Sequence, residues 1–152
     1  KLRRILGIPE RRVGLASEKR GELVQAGVTI EKWVFTSEPG SRIPALLYRP
    51  EKPVTGRIPA IVLTFGHGGS KSNWQYHYAG LLYARLGLAC LALDPLGEEE
   101  RHQTGQMGTR AHDPQSVHEH ADAAGRLVMG KLVFDTMRGI DFLLERTDIA
   151  RS

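Results

Sequence analysis

The stretch from Pro59 to Leu93 constrains the fold of this chain more than any other part. It begins with a continuous apolar run (PAIVLTF), passes through a glycine-rich loop and a helical pattern at about 74–86, and ends in a second apolar run over 88–93. Continuous apolar runs of this length are typical of strands that are covered on both faces. Strand, helix and strand in this order predict a βαβ unit, in which a right-handed crossover joins two parallel strands.

Two further strands are predicted before this unit. Residues 28–37 (VTIEKWVFTS) alternate between apolar and polar side chains, which is typical of a half-buried strand. After a turn that contains proline and glycine, residues 43–48 (IPALLY) return as a second strand, antiparallel to the first. Because Pro44 has no N–H to donate to a neighbouring strand, we expect this second strand at an edge of the sheet.

Apolar residues recur at helical spacing in two segments, a helix over 74–86 capped by Ser72 or Asn73 and a helix over about 131–146. We expect these apolar residues to form the buried faces of the two helices. They are Tyr78, Leu82, Tyr83 and Leu86 in the first helix, and Leu132, Val133, Met137, Ile140 and Leu144 in the second.

The size and composition of the chain indicate one globular domain. Its 152 residues suffice for a hydrophobic core, and we assign 1–27 to an N-terminal helix and loop and 28–152 to the sheet and its flanking helices. No apolar run approaches the ~20 residues that cross a bilayer, so we expect no membrane segment. The net charge of +4 comes from scattered basic residues, which argues against a nucleic-acid partner. Cys90 is the only cysteine; we expect it to be buried, and we predict no metal and no cofactor.

The loop over 66–72 (GHGGSKS) lies where parallel α/β sheets bind ligands, at the carboxyl end of a strand and before a helix. A phosphate-binding Walker A loop would need glycine at the positions of Phe65 and Ser70. A nucleophile elbow, Gly-x-Ser-x-Gly, is not matched because Gly68 stands in the serine position. Two interpretations stay open: a glycine-rich turn without a role, or an oxyanion loop whose backbone N–H groups stabilise negative charge.

Several segments together resemble the acetylxylan-esterase-like and dienelactone-hydrolase-like branch of the α/β-hydrolases. In chain order they are LRRILGI, VTIEKWVF, PALLYRP, GHGGSK, ALDPLGEEER and GRLVMGKLVFDTMRGIDFLLERTDI. The resemblance implies a three-layer α/β sandwich that hydrolyses a carboxylic ester with a serine nucleophile through an acyl-enzyme. It also implies a small ester as the substrate, such as an acetylated carbohydrate.

The same resemblance implies roles for individual residues. The backbone N–H of His67, with Gly68 beside it, would form part of the oxyanion hole, and Asp94 would be a structural residue that closes a strand. Glu99 stands where related sequences tend to have glycine. The serine, the acid and the histidine of the family would follow beyond the last residue of this chain. We therefore expect the N-terminal part of a hydrolase domain, truncated before the nucleophile-elbow strand and inactive alone.

Two alternatives for the function remain open. In the first, the parent protein is a peptidase of the same fold. In the second, the chain is a non-catalytic module that a partner chain completes, either by self-association or by pairing of its sheet edge with the missing C-terminal half.

A few other side chains are candidates for a site. Trp74, Arg101 and His102 are predicted to line a substrate pocket, although packing in the core fits Trp74 as well and a solvated loop fits Arg101 and His102. The segment HEHAD over 118–122 resembles the zinc motif of metallo-β-lactamase-like hydrolases. Because Ala123 replaces the last histidine of that motif, a polar loop is favoured over a metal site.

Overall fold

The computed structural model describes residues 1–52, 54–66, 68–102, 121 and 125–151. Within these ranges, no helix is both long enough and apolar enough to cross a membrane. The elements are α1 (Leu2–Ile5), β1 (Glu18–Gln25), β2 (Val28–Glu38), β3 (Ser41–Pro50), β4 (Ala60–Leu63), α2 (Trp74–Arg85), β5 (Ala89–Leu93), a 3₁₀ turn (Glu99–Arg101) and α3 (Val128–Glu145).

The five strands form one mixed sheet in the order β1-β2-β3-β5-β4. Strands β4 and β5 are parallel and are joined through α2, which confirms the predicted βαβ unit. The pairs β1–β2, β2–β3 and β3–β5 are antiparallel, so the predicted antiparallel pair over 28–37 and 43–48 is also confirmed. The parallel unit therefore lies at one end of the sheet, next to an antiparallel meander.

The N-terminal segment, assigned to helix and to loop with weak strand character over 11–27, contains the edge strand β1 at 18–25. All eight residues of this strand are exposed, and four of them are charged. A strand that buries neither face carries no alternating pattern, so pairing with β2 rather than side-chain burial holds it in place.

The edge position predicted from Pro44 is also wrong, because β3 lies between β2 and β5. Pro44 faces β5 at the point where that strand ends, and its carbonyl accepts the Asp94 N–H at 3.1 Å. The missing proline N–H would have bonded to the Asp94 carbonyl. The Arg101 guanidinium donates to that carbonyl instead, at 3.0 Å, so a side chain completes the ladder where proline interrupts it.

The two longer helices cover opposite faces of the sheet, which gives three layers. On one face, Cys90 and Ala92 of β5 pack with Ala84 of α2. On the other face, Leu91 and Leu93 of the same strand pack with the core residues of α3. Cys90 is fully buried, as expected from its apolar surroundings.

The buried face predicted for α2 is wrong. Tyr78, Leu82 and Leu86 are exposed and Tyr83 is only half-buried, whereas the residues that face the sheet are Gly80 and Ala84. A Cβ on Gly80 would lie 2.6 Å from Cδ2 of the buried Tyr48 ring. Small residues on α2 therefore make room for a large aromatic side chain of the sheet.

The buried face predicted for α3 is displaced as well. Ile140 and Leu144 are exposed, and Leu132, Val133 and Met137 are half-buried. The face that packs on the sheet contains both large apolar and charged side chains, namely Lys131, Phe134, Asp135, Arg138, Phe142 and Leu143. The prediction was displaced because it counted only apolar residues as buried. The charged residues on the buried face of α3 were therefore assigned to the solvent-exposed face.

Candidate active site at the carboxyl end of the parallel strands

The carboxyl ends of β4 and β5 meet at one edge of the sheet, where α/β proteins bind ligands. A small pocket of about 90 Å³ opens there between the strand ends and α3. Its wall includes Leu63 and Phe65 from the end of β4, Asp94 from the end of β5, and Thr136 from α3. The glycine-rich loop begins directly after Phe65, so the loop and the pocket share this edge.

Most of the loop amides already have an acceptor. The Gly66 N–H donates to the Tyr76 hydroxyl at 3.1 Å, and the Gly69 N–H donates to the Gly66 carbonyl at 3.0 Å. Gly68 has a φ of +69°, the left-handed region that glycine adopts without strain. Within the part of the chain that the structure describes, the Gly68 N–H has no acceptor. Among the described residues, it thus differs from the Gly66, Gly69 and Ser70 N–H groups, which each have an acceptor.

The close packing of the loop explains a second glycine. A Cβ on Gly69 would lie 2.8 Å from the Phe65 Cβ and 3.0 Å from the Tyr76 ring, which is too close for any side chain. The rings of Phe65 and Tyr76 are in turn in contact, with centroids 4.3 Å apart. The start of the loop is thus folded tightly against the first turn of α2.

Asn73 closes the other end of the loop. Its Oδ1 accepts the Ser70 N–H at 3.2 Å and the Ser70 hydroxyl at 2.6 Å, while its Nδ2 lies 3.5 Å from the Gly68 carbonyl. Asn73 occupies the N-cap position of α2, as one of the two predicted caps, but its side chain makes no bond to the helix amides. It stabilises the loop instead.

A buried ion pair lies beneath the loop. Lys71 and Asp94 are both buried; the Lys71 ammonium contacts the Asp94 carboxylate, which also accepts the Lys71 N–H at 3.1 Å. Burial raises the pKa of Asp94 to about 6, although Lys71 acts in the opposite direction. Burial lowers the pKa of Lys71, but the attraction of Asp94 and Glu100 outweighs it and the pKa is raised. The Lys71 ammonium also contacts the Glu100 carboxylate at 2.5 Å, so it holds two carboxylates beneath the loop.

Glu99 adopts the conformation that favours glycine. Its φ is +48°, in the left-handed region, and its side chain is buried against the loop. The glycine that the resemblance places here would adopt this backbone without strain. The Glu99 carboxylate lies 3.1 Å from the Ser70 hydroxyl, whose proton it shares with Asn73 Oδ1.

The structure separates the other predicted site residues. His67 lies outside the described residues. Trp74 is 73% exposed at the start of α2, which excludes the core-packing alternative. The Arg101 guanidinium is buried and bonded to Asp94 and Asp135, so it is occupied by the protein itself. His102 is half-buried and has an interaction partner. Substrate contacts for Trp74, Arg101 and His102 remain predictions.

The zinc-like segment also lies outside the described residues, except for Ala121. In the described ranges, no three histidine, cysteine or acidic side chains come together as a metal site. His77, the described histidine of α2, lies 3.0 Å from the Tyr48 hydroxyl through its Nδ1. Its place is thus in the packing of α2 on the sheet.

The sequence does not identify as site residues Tyr76 and Asn73, which bond to the loop, or Asp135, which lines the pocket. Asn73 carried a signal, because it is a capping residue next to a glycine-rich loop. Tyr76 and Asp135 carried none: their contacts depend on how α2 and α3 pack, and no local pattern records that.

Solved structures share this fold. A Bacteroides fragilis protein provisionally assigned as an acetyl xylan esterase matches with a TM-score of 0.85 at 19% identity, over 98% of this chain and 42% of that chain. Acetyl xylan esterases from Paenibacillus sp. R4 and Thermoanaerobacterium sp. match with TM-scores of 0.63 and 0.65 at 19% and 18% identity. Each match covers 90% of this chain, together with 43% of the Paenibacillus chain and 42% of the Thermoanaerobacterium chain. No family model and no curated protein matches the sequence.

At these identities the likeness establishes the fold and not the activity. The chain spans less than half the length of the three structures. The mixed five-stranded sheet with its flanking helices matches part of the acetyl xylan esterase fold, as the sequence resemblance implied.

Proposed function

We propose that this chain is the N-terminal part of a carboxylic ester hydrolase, and that the N–H groups of His67 and Gly68 bind the oxyanion formed in the reaction. The observation that carries the proposal is the Gly68 N–H, which has no acceptor among the described residues. It lies at the carboxyl end of a strand in a fold that solved acetyl xylan esterases share.

The chemistry of ester hydrolysis explains what such an amide would do. Attack on the ester carbonyl moves negative charge onto its oxygen, and a fixed N–H stabilises that charge more than it stabilises the neutral carbonyl. Loss of one oxyanion donor typically lowers kcat by about 10²–10³.

The nucleophile would come from polypeptide that pairs with the outer edge of β4. The Ile58 N–H donates to the Asp148 carbonyl and the Ile58 carbonyl accepts the Ala150 N–H, both at 2.9 Å. Ile58 and Ile149 thus form a parallel bridge on the side of β4 that faces away from β5. A strand continuing from Ile149 would end beside the glycine-rich loop, where a serine could reach a bound ester.

The substrate class follows from the proteins that share the fold. Two of the three are acetyl xylan esterases, and we propose an acetyl ester of a carbohydrate by analogy with them.

Turnover of p-nitrophenyl acetate tests the proposal. The chain is expressed as its 152 residues and as the same chain extended by the coding sequence that follows residue 152 in its gene. We expect turnover by the extended protein and none above background by the shorter one. Robust turnover by the 152 residues, abolished by Ser70→Ala, would overturn the proposal, because the loop would then contain the nucleophile.

A non-catalytic module completed by another polypeptide is the second candidate, and the bridge at the β4 edge favours it to the same degree. Size-exclusion chromatography of both proteins separates the two. A 152-residue chain that forms a stable dimer, together with an extended protein that is inactive, would favour the module.

A further inference from the structure

We propose that the 3₁₀ turn Glu99–Arg101 positions the glycine-rich loop by joining it to β5 and α3. This inference rests on the proposed function for its consequence in the reaction, but its contacts do not depend on it. Three successive side chains of the turn connect the loop to the rest of the molecule. Glu99 and Glu100 bind the loop, and Arg101 binds the body of the protein.

The contacts to the loop come from the two acidic residues. The Ser70 hydroxyl shares its one proton between Asn73 Oδ1 at 2.6 Å and the Glu99 carboxylate at 3.1 Å, and the Glu100 carboxylate pairs with the Lys71 ammonium at 2.5 Å. Ser70 and Glu99 are both buried, so their contact is protected from competing water, whereas the Glu100 carboxylate is partly exposed. Ser70 and Lys71 follow Gly68 and Gly69 directly, and a shift of either one would move the Gly68 N–H.

The contacts to the rest of the molecule come from Arg101. Its guanidinium donates to the Asp94 carbonyl at 3.0 Å and to the Asp135 carboxylate at 2.8 Å, and it lies 3.4 Å from the Ser41 hydroxyl. The Asp94 carbonyl is the one that Pro44 leaves without a backbone donor. Arg101 therefore anchors the turn to the end of β5, to α3 and to the start of β3 at once.

The backbone of Glu99 supports this role. A residue other than glycine at a φ of +48° stores strain, and such residues persist only where the surrounding contacts outweigh the cost. Glycine would remove the strain but also the carboxylate. The contact with Ser70 is what a glutamate adds at this position, so we infer that loop position, and not backbone geometry, is what Glu99 contributes.

Amide hydrogen exchange in the ¹⁵N-labelled 152-residue chain tests this inference. Glu99→Gly is the informative variant, because it relieves the backbone strain while removing the bond to Ser70. We expect exchange at Ser70 and Lys71 to rise by about tenfold, the effect of losing one buried hydrogen bond. Exchange of the β2 and β3 amides should not rise, and the thermal midpoint should not fall. Glu99→Gln keeps an acceptor at the same distance and should restore slow exchange, and Glu10→Ala is the exposed control.

Two results would overturn the inference. One is loop exchange that stays slow in Glu99→Gly. The other is exchange that rises equally in β2 and β3, which would show a general contribution to stability.

A second measurement separates this inference from the proposed function. If the extended protein hydrolyses p-nitrophenyl acetate, Glu99→Gly should lower kcat about tenfold or more with KM nearly unchanged, because misplacement of a donor affects the transition state. An unchanged kcat would overturn the positioning role in the reaction. If the extended protein is inactive, the proposed function fails, while the exchange experiment still decides whether the turn positions the loop.

Discussion

The two faces of the sheet are covered by helices that use opposite kinds of side chain. On one face, α2 contributes Gly80 and Ala84, and the bulk comes from Tyr48 of the sheet. On the other face, α3 contributes the rings of Phe134 and Phe142 together with charged residues. The volume between helix and sheet is filled from the sheet on the first face and from the helix on the second.

The two faces also differ in polarity. Beneath α3, Asp135 accepts hydrogen bonds or ion pairs from Ser37, Lys131 and Arg101, all at least half-buried. Beneath α2, the polar contact between described residues of the helix and the sheet is the pair of Tyr48 and His77. The polar side is the one that joins α3 to the turn Glu99–Arg101. The contrast shows that one face provides packing while the other also connects the core to the candidate site.

Phe142→Ala is expected to have the largest effect on stability. The Phe142 ring stacks on Phe35 with centroids 5.0 Å apart and meets Trp33 edge to face at 5.2 Å. Truncation of a buried phenylalanine typically costs about 3–5 kcal/mol of unfolding free energy. Trp74→Ala on the exposed surface of α2 is the control and should change it by less than about 0.5 kcal/mol. Equal losses in urea denaturation would contradict the contrast between the two helices.

Asp135→Asn is expected to be nearly as destabilising. The amide keeps the shape of the side chain but leaves Lys131 and Arg101 without their carboxylate in a buried site. Removing one partner from a buried pair typically costs about 3–5 kcal/mol, and we expect the lower end. Glu145→Gln, on the exposed side of the same helix, should leave the denaturation midpoint in place. If both variants behave alike, the polar network beneath α3 contributes no stability.

Gly80→Ala tests the close approach on the α2 face. Helix propensity alone predicts that alanine stabilises α2 by about 0.5–1 kcal/mol. The new Cβ would lie 2.6 Å from the Tyr48 ring, so we expect a loss of about 1–3 kcal/mol instead. Gly14→Ala, which meets nothing within 4 Å, should not destabilise the protein. A gain in stability for Gly80→Ala would show that α2 can move away from the sheet.

The smallest expected effect is the reaction of the Cys90 thiol with a labelling reagent, which is measured on the unsubstituted protein. Cys90 lies on the α2 face, and burial raises the pKa of its thiol to about 12. At pH 8 almost no thiolate is present, so we expect 5,5′-dithiobis(2-nitrobenzoate) to label it only as the protein unfolds. Labelling within seconds in native buffer would mean that the α2 layer opens readily.

The fold could be predicted further from the sequence than the site. Strands β2, β4 and β5 and the positions of α2 and α3 follow from local periodicity, and the parallel unit follows from their order. Strand β1 could not be found in this way, since all of its side chains are exposed. In the site, the glycine-rich loop was identified by its residues, but the amide that has no acceptor among the described residues could be known only from the hydrogen bonds of its neighbours.

The sequence by itself determined the strands β2 to β5, the two longer helices and the glycine-rich loop that follows a buried strand, because these features depend on residues close together in the chain. The tertiary structure decided which helix faces are buried, how Pro44 fits an interior strand, and what Arg101 binds. In each case the deciding partner is distant in sequence: Tyr48 for Gly80, Asp94 for Pro44, and Asp135 for Arg101. A contact of this kind depends on packing geometry, and local patterns contain no record of it.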